Sequence, residues 1–213
     1  NSMSVAIINY GSGNTFSVSN ALHKIQIKNE IITNPSEINK FSTLILPGVG
    51  NFKACIKKFK EKNFFNYTMK HVSEGKQIIG ICVGMQMLFE YSEEDGRTEG
   101  MSLLEGKVTL LKKSQSNSNY KLRLPNIGWS TIKVTDKKNN YFKSIRNLEF
   151  YFAHSYACKL KDKKFQIATN TYGNQKYVCM VKNHNIIGIQ FHPEKSGESG
   201  LKLLKNILNI GRD

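Results

Sequence analysis

Short apolar runs alternate with stretches of helical periodicity through the first half of the chain. The apolar runs predict buried strands at Val5–Ile8, residues 31–32, Thr43–Leu46 and Gln77–Ile81. Between them, helical spacing predicts helices that carry Phe16, Val18, Leu22 and Ile25, then Phe52, Cys55, Ile56 and Phe59, then Met85, Met87, Leu88 and Phe89. This alternation indicates a mostly parallel sheet with helices on both faces. The loops after Ile8, Leu46 and Ile81 are therefore expected to converge at one edge of the sheet, where such folds bind ligands.

The second half has a different pattern, with strands following one another through hairpin-like connections. Strands are predicted at 108–111, 130–134, 150–156, 165–171, 177–181 and 186–191. A closing helix at 199–210 has one apolar face, formed by Leu201, Leu204, Ile207 and Leu208. The polar segment 114–119 is expected to be a mobile loop. No linker divides the chain, so residues 3–210 are predicted to form one α/β domain with a β-rich second half.

Composition and charge narrow the classes of function. The chain has 213 residues, of which 39% are hydrophobic and 22% charged, and no apolar run approaches the roughly 18 residues of a membrane span. The formal net charge is +15, but the basic residues are spread along the chain in short clusters such as Lys57-Lys58. Such a surface is more typical of solvated lysines in a Lys-, Asn- and Ile-rich genome than of a nucleic-acid site. We expect neither a nucleic-acid nor a membrane partner.

The four cysteines are widely spaced and form no CxxC pair. This argues against a zinc site or a redox pair and suits a reducing cytoplasm, so we expect no metal and no cofactor. Asn1-Ser2 ahead of Met3 is interpreted as a cloning remnant, and nothing at this end resembles a signal peptide. A cytoplasmic location is therefore predicted.

One cysteine lies in a pattern that carries chemistry. Gly80-Ile81-Cys82-Val83-Gly84 has the spacing of a nucleophile elbow, in which a strand turns sharply into a helix and exposes the nucleophile. The helix N-terminus would stabilise negative charge on the sulfur, and the N–H of Val83 would donate to an oxyanion. The alternative is a buried cysteine that packs at a strand end.

His192 follows a strand that is expected to be central in the sheet, and Pro193 then ends that strand. Glu194 lies two residues further on, where it could accept a hydrogen bond from the imidazole and fix its tautomer. The other histidines fit simpler roles: a surface position for His23 and His71, a turn for His184, and either a functional or a buried position for His154. The alternative for His192 is a strand-end histidine beside a surface glutamate.

Two glycine-containing loops complete the candidate site. Leu46-Pro47-Gly48-Val49-Gly50 could be only a turn, but it follows a strand next to that of Cys82 and could supply a second oxyanion donor. Tyr10-Gly11-Ser12-Gly13-Asn14 suggests a dinucleotide-binding loop, yet the third glycine of that motif would fall on Phe16. We discount the dinucleotide interpretation.

Together these motifs resemble the triad-type (class I) glutamine amidotransferases, and within them the glutaminase subunits of imidazole glycerol phosphate synthases. The resemblance covers nearly all of 3–210. It rests on the segments 9–14, 46–52, 80–86, 92–94, 125–129, 154–156 and 190–196. It implies a flavodoxin-like class I glutamine amidotransferase fold.

The resemblance also implies roles for individual residues. Cys82 would attack the side-chain amide of L-glutamine and form a thioester, His192 would act as general base and acid, and Glu194 would orient His192. Val83, Val49 and Gly50 would form the oxyanion hole, the loop being completed after a peptide flip driven by a partner. The residues implied in glutamine binding are Gly48, Gly50, Gln86, Glu94, His154, Ser155 and Tyr156.

A second subunit is implied as well. In the family, ammonia passes to a (β/α)8-barrel synthase that docks over the glutaminase face. The residues that resemble the family's interface are Asn14, Pro125, Trp129, Tyr151 and Lys195. Simple core packing is the alternative for Trp129.

The chain departs from the family pattern at three positions, because Asn9, Asn126 and Thr15 stand where aspartate, histidine and an aliphatic residue are common. These departures leave the triad untouched but keep a second pathway open. In that pathway, a paralogous glutaminase supplies ammonia to a sugar amidotransferase of surface polysaccharide biosynthesis. Two hypotheses from different classes of protein are a stand-alone cysteine hydrolase and a non-catalytic flavodoxin-like module.

Overall fold

The computed structural model describes residues 3–112 and 123–209. Its first half follows the predicted alternation of strands and helices. The elements are β1 (Val5–Ile8), α1 (Thr15–Lys24), β2 (Asn29–Ile32), a 3-10 helix (Pro35–Lys40), β3 (Thr43–Leu46), α2 (Phe52–Glu61), α3 (Phe64–Ser73), β4 (Gln77–Ile81) and α4 (Val83–Met87).

The second half is mostly strands, as predicted, and closes with a helix. Its elements are β5 (Phe89–Ser92), β6 (Thr98–Glu99), β7 (Leu104–Leu110), β8 (Asn126–Thr131), β9 (Lys133–Val134), β10 (Glu149–His154), β11 (Tyr156–Leu160), β12 (Gln166–Tyr172), β13 (Gln175–Asn183), β14 (Ile186–Ile189) and α5 (Gly197–Asn209). Two further 3-10 helices span Lys163–Phe165 and Pro193–Lys195.

The strands form one large mixed sheet and one small sheet. The large sheet has the order β2-β1-β3-β4-β14-β13-β11-β7-β5-β6, with β12 paired to β13 and β9, while β8 and β10 form a separate antiparallel pair. The five strands from β2 to β14 in this order run parallel. β14 lies beside β4, with Ile189 opposite Ile81. This register brings the segments that follow the two strands to the same edge of the sheet.

The parallel strands are buried because helices cover both faces of such a sheet. Every residue of β1, β3 and β14 is buried, which explains their continuous apolar runs. Asparagine side chains cap two of the covering helices: Asn14 accepts from the N–H of Ser17, and Asn51 accepts from the N–H of Ala54. Among the described helices, none combines the length and hydropathy of a membrane-spanning segment.

Several predicted boundaries are wrong. Phe89 does not extend the helix after Cys82 but opens β5, because an apolar run buried on all sides has no stripe that separates helix from strand. The predicted strand 150–156 is two strands that are interrupted at Ser155, and 130–134 belongs to β8 and β9. The predicted mobile loop 114–119 lies outside the described residues.

His71 is also misplaced by the sequence prediction. It is buried rather than on the surface, and its Nε2 lies 2.8 Å from the carbonyl oxygen of Gln77. The polar neighbours of His71 in sequence face outward on α3, whereas the ring faces the sheet, so flanking polarity was not a reliable guide to its exposure.

Candidate active site

Cys82 occupies a strained turn between β4 and α4. Its φ is 57° and its ψ is −117°, a conformation that residues with a side chain rarely adopt. Two glycines make the turn possible: a Cβ on Gly84 would lie 1.9 Å from the carbonyl oxygen of Leu46, and one on Gly80 would lie 2.6 Å from that of Gly84. This is the geometry expected of a nucleophile elbow.

His192 and Glu194 form a buried pair beside Cys82. The imidazole Nδ1 lies 2.6 Å from Oε1 of Glu194, and the side chains are only 4% and 3% exposed. Burial alone would lower the pKa of His192, but hydrogen bonds with Cys82 and Glu194 outweigh it and raise that pKa above its usual range. The arrangement therefore favours a proton on the imidazole next to the sulfur.

Backbone contacts hold the imidazole in place. The N–H of His192 donates to the carbonyl oxygen of Tyr151 at 2.9 Å, which links the large sheet to β10 of the small sheet. The Ser196 hydroxyl donates to the carbonyl oxygen of His192 at 2.5 Å and accepts from the N–H of Tyr151 at 2.9 Å. Sequence reasoning gave Ser196 no role, because a serine after a short motif carries no signal of its own.

Of the three residues implied in the oxyanion hole, Val83 and Val49 do not direct their N–H groups at one common point. The N–H of Val83 donates to the carbonyl oxygen of Gly48 at 3.3 Å. The N–H of Val49 donates to the hydroxyl of Ser12, also at 3.3 Å. Gly50 follows with a φ of 82°, which a glycine adopts without strain. In this structure the Gly48–Val49 peptide thus presents its carbonyl, not its N–H, to the elbow.

A cavity of about 280 Å³ opens beside the elbow. It is lined by Gly50, Val83, Gln86, Glu94, Pro125, Ala153, His154, Ser155 and Tyr156. The structure therefore brings together every residue implied in glutamine binding except Gly48, which contacts Val83 instead. The volume and the polar lining suit a small amphipathic molecule such as an amino acid.

Glu94 supplies the carboxylate of this cavity. Its Oε2 accepts from the N–H of Phe52 and its Oε1 from the amide of Asn51, both at 3.2 Å. Burial raises the pKa of Glu94, and these hydrogen bonds oppose that rise. Asn51 also donates to Asp95 at 2.5 Å, so one amide orients two acidic side chains. Sequence reasoning missed Asn51 as a partner of Glu94, because the two residues are 43 positions apart in the chain.

The side chain of His154 turns into the protein. Its Nδ1 lies 2.7 Å from the carbonyl oxygen of Tyr156, and its Nε2 lies 2.9 Å from the hydroxyl of Tyr177 and 3.3 Å from the amide of Asn126. Burial lowers the pKa of His154 to about 4. The ring is therefore neutral near pH 7 and offers no positive charge to a bound carboxylate, which leaves Ser155 and Tyr156 as the polar residues at this wall.

The residues implied in partner docking lie mostly at the surface. Trp129 is 53% exposed, which argues against the core-packing alternative, and its ring contacts that of half-buried Tyr151 at a centroid distance of 6.3 Å. Asn14, Pro125 and Lys195 are exposed as well. Sequence reasoning missed Ile127, which is 62% exposed and lies on the same face of β8 as Trp129 because side chains alternate along a strand.

Comparisons with known proteins identify the family. A model of the family described as "Glutamine amidotransferase class-I" matches residues 6–210, and the chain belongs to that family. Among its relatives, an "Imidazole glycerol phosphate synthase subunit HisH" of Caldanaerobacter subterraneus subsp. tengcongensis is 39% identical, over 95% of this chain and 96% of the relative. A protein of the same name from Geobacillus sp. is 37% identical, over 97% and 96%.

A solved structure supports the fold class. "Structure of PurLQS from Thermotoga maritima" contains a chain that superposes with a TM-score of 0.72 at 20% identity, covering 98% of each chain. The predicted class I glutamine amidotransferase fold, with its mostly parallel sheet flanked by helices, is thereby confirmed.

Proposed function

We propose that this chain is the glutaminase subunit of an imidazole glycerol phosphate synthase, hydrolysing L-glutamine and passing ammonia to a cyclase subunit. The observation that carries the proposal is the buried His192–Glu194 pair beside Cys82, together with a neighbouring cavity that is lined by Val83 and Glu94. A non-catalytic flavodoxin-like module would need none of these features, and a stand-alone hydrolase would not need the lining of Gln86 and Glu94.

The chemistry follows from the roles of three side chains. The Cys82 thiolate attacks the side-chain amide carbon of glutamine, and the C–N bond breaks as His192 gives its proton to the departing ammonia. A γ-glutamyl thioester remains. His192 then takes a proton from water, which attacks the thioester and releases glutamate with the free thiol. Glu194 holds the imidazole in one orientation and stabilises its charged form.

The cavity supports glutamine as the substrate. Glu94 offers a negative charge to the α-ammonium group, and the wall at Ser155 and Tyr156 would receive the α-carboxylate. Gln86 donates to the carbonyl oxygen of Tyr156 at 3.1 Å, so it orders this wall of the cavity.

The partner is proposed to be a (β/α)8-barrel cyclase that makes imidazole glycerol phosphate and AICAR in histidine biosynthesis. The names of the relatives support this pathway, and the exposed Trp129 supports a docking face beside the cavity. Docking over the cavity would shield ammonia from bulk water. Both subunits are proposed to act in the cytoplasm.

The experiment measures glutamate release from glutamine by the purified chain, alone and with the cyclase barrel plus its nucleotide substrate. We expect strong stimulation that disappears in Cys82→Ala. Activity that depends on Cys82 but does not respond to this barrel would favour the sugar-amidating paralogue. Equal activity in the wild type and in Cys82→Ala would show that the nucleophile is misassigned.

A further inference from the structure

Gln190 is a fully buried polar side chain beside the candidate nucleophile, with 0% exposure. It directly follows β14, whose Ile189 pairs with Ile81 of β4, and Cys82 directly follows β4. The backbone N–H of Gln190 donates to the carbonyl oxygen of Cys179 at 2.9 Å, so the main chain is fixed at this point. A buried amide requires partners at both its oxygen and its nitrogen. Those partners indicate what the side chain does.

The two ends of the amide contact different parts of the site. Oε1 of Gln190 lies 3.2 Å from Nε2 of Gln86, and Nε2 of Gln190 lies 3.9 Å from Sγ of Cys82. The orientation is determined, because the same Gln86 nitrogen donates to the carbonyl oxygen of Tyr156, which can only accept. Turning the Gln190 amide over would place two nitrogens with hydrogens against each other. The N–H of Gln190 therefore points to the sulfur.

We infer, building on the proposed function, that Gln190 is a positioning residue that donates from Nε2 to the Cys82 sulfur and so favours its thiolate form. At 3.9 Å the contact is weak for a neutral thiol. A hydrogen bond to a charged acceptor is shorter and stronger than one to a neutral acceptor. The contact between Gln190 and the sulfur therefore becomes stronger when the proton leaves the sulfur. Because the site is buried, water cannot take over this role at the same point.

The same amide connects the nucleophile with the substrate cavity. A continuous series of hydrogen bonds leads from the Tyr156 carbonyl through Gln86 and Gln190 to Cys82. Gln86 and Tyr156 line the cavity, whereas Gln190 lies behind the lining. A ligand that orders Gln86 would also fix the amide that faces the sulfur.

The test is the rate at which iodoacetamide alkylates Cys82 in the full chain, measured against pH and located by mass spectrometry. Gln190→Met and Gln190→Leu both remove the donor without adding charge. Gln26→Met makes the first of these changes at an exposed position and serves as the matched control. Cys82→Ala defines the background from the other three cysteines.

We expect the midpoint of the alkylation profile to move to higher pH by about one unit in Gln190→Met, the size expected for loss of one charge-assisted hydrogen bond. Gln26→Met should leave the midpoint unchanged. Other titratable groups that interact with Cys82 are His192, Tyr10, Tyr177 and Cys158, and none is altered in these variants.

Unchanged midpoints in both Gln190 variants would overturn the inference, even if glutamine turnover fell. If Gln190→Met does not fold, Gln190→Leu decides the question, since it also removes the donor without adding charge. The outcome is separable from the proposed function. If the alkylation profile shifts but the chain never releases glutamate, the positioning role of Gln190 stands and the glutaminase function is rejected. If glutamine turnover is normal but the profile does not shift, the glutaminase function stands and the positioning role is rejected.

Discussion

The carbonyl oxygen of Gly48 accepts a hydrogen bond from the N–H of Val83 at 3.3 Å, in the place where a tetrahedral intermediate would need that donor. A rotation of the Gly48–Val49 peptide would remove this carbonyl and turn the N–H of Val49 inward. The fold thus contains an elbow and a charged pair, while the second oxyanion donor is held elsewhere. We therefore expect glutamine hydrolysis by the isolated chain to be low while this peptide keeps its present orientation.

The first prediction concerns the group that holds the Val49 peptide. The Ser12 hydroxyl contacts both the nitrogen and the oxygen of Val49, at 3.3 and 3.2 Å. Ser12→Ala removes both contacts, which are each worth about 0.5–1.5 kcal/mol, so we expect partner-independent glutamate release to rise several-fold. The measurement is steady-state glutaminase activity of the isolated chain. Ser73→Ala, whose hydroxyl bonds only within α3, is the control. A basal rate that stays at the wild-type value would contradict the role of Ser12.

The second prediction tests the carboxylate of the cavity. Glu94→Gln keeps the shape but removes the charge that would bind the α-ammonium group of glutamine. We expect kcat/KM for glutamine to fall about 10- to 100-fold, mainly through KM, as for one hydrogen bond to a charged group. The neighbouring Glu93 pairs with Lys107 at the surface, so Glu93→Gln is a matched control that should change little. Equal effects of the two substitutions would argue against a substrate role for Glu94.

The third prediction concerns pH and stability. His154 has a pKa lowered to about 4 by burial, so the unfolded chain binds a proton here that the folded chain does not. Its contribution is fully present above pH 6.5 and is lost as pH falls toward 4, amounting to about 3 kcal/mol. We expect urea unfolding of the wild type to weaken over this range more steeply than that of His154→Gln. Burial lowers the pKa of His71 as well, so His71 changes the stability in the same direction. Because His71 is present in both proteins, its contribution does not affect the comparison. Parallel curves for wild type and variant would refute the assignment.

The fourth prediction concerns docking. Trp129 is a large exposed aromatic residue on β8, which pairs with β10, and β10 ends at the cavity residues Ala153 and His154. Side chains of this kind commonly anchor interfaces. Trp129→Ala should weaken binding of the cyclase subunit by about 2 kcal/mol, or roughly 30-fold in Kd, measured by calorimetry. Leu110 is similarly exposed, at 48%, but lies on β7 of the large sheet, so Leu110→Ala should leave binding unchanged. If Leu110→Ala weakens binding as much as Trp129→Ala, the docking face is placed wrongly.

The elbow and the base could be predicted from sequence because their chemistry imposes spacing. Two glycines flank Cys82 since no Cβ fits there, and Pro193 opens the short 3-10 helix that carries Glu194 next to His192. The strand itself ends earlier than predicted, at Ile189. Gln190 could not be predicted in the same way. It stands in an apolar run where one polar residue gives no signal, and its partners come from segments more than a hundred residues away. Phe89 shows the same limit at the level of secondary structure, because its burial is compatible with helix or strand.

The conformation of the Gly48–Val49 peptide is beyond sequence reasoning for a different reason. Both orientations of this peptide use the same residues, and what selects one of them is a set of contacts with Ser12 and Val83. The neutral state of His154 likewise depends on its burial, which arises only after folding. The sequence pattern identifies which side chains can take part in the site. Their protonation and orientation depend on neighbours that are brought together only by the tertiary fold.

The link between the two sheets also bears on how such a subunit can diverge. His192 is held to β10 by a main-chain contact with Tyr151, and the neighbouring β8 turns Ile127 and Trp129 outward. A main-chain contact does not depend on which side chain the residue carries. The outward-facing residues on β8 can therefore change through evolution without disturbing His192. Such changes would alter which synthase the subunit binds. A duplicated gene could thus acquire a new ammonia acceptor by surface substitutions alone, while its glutamine chemistry is inherited unaltered.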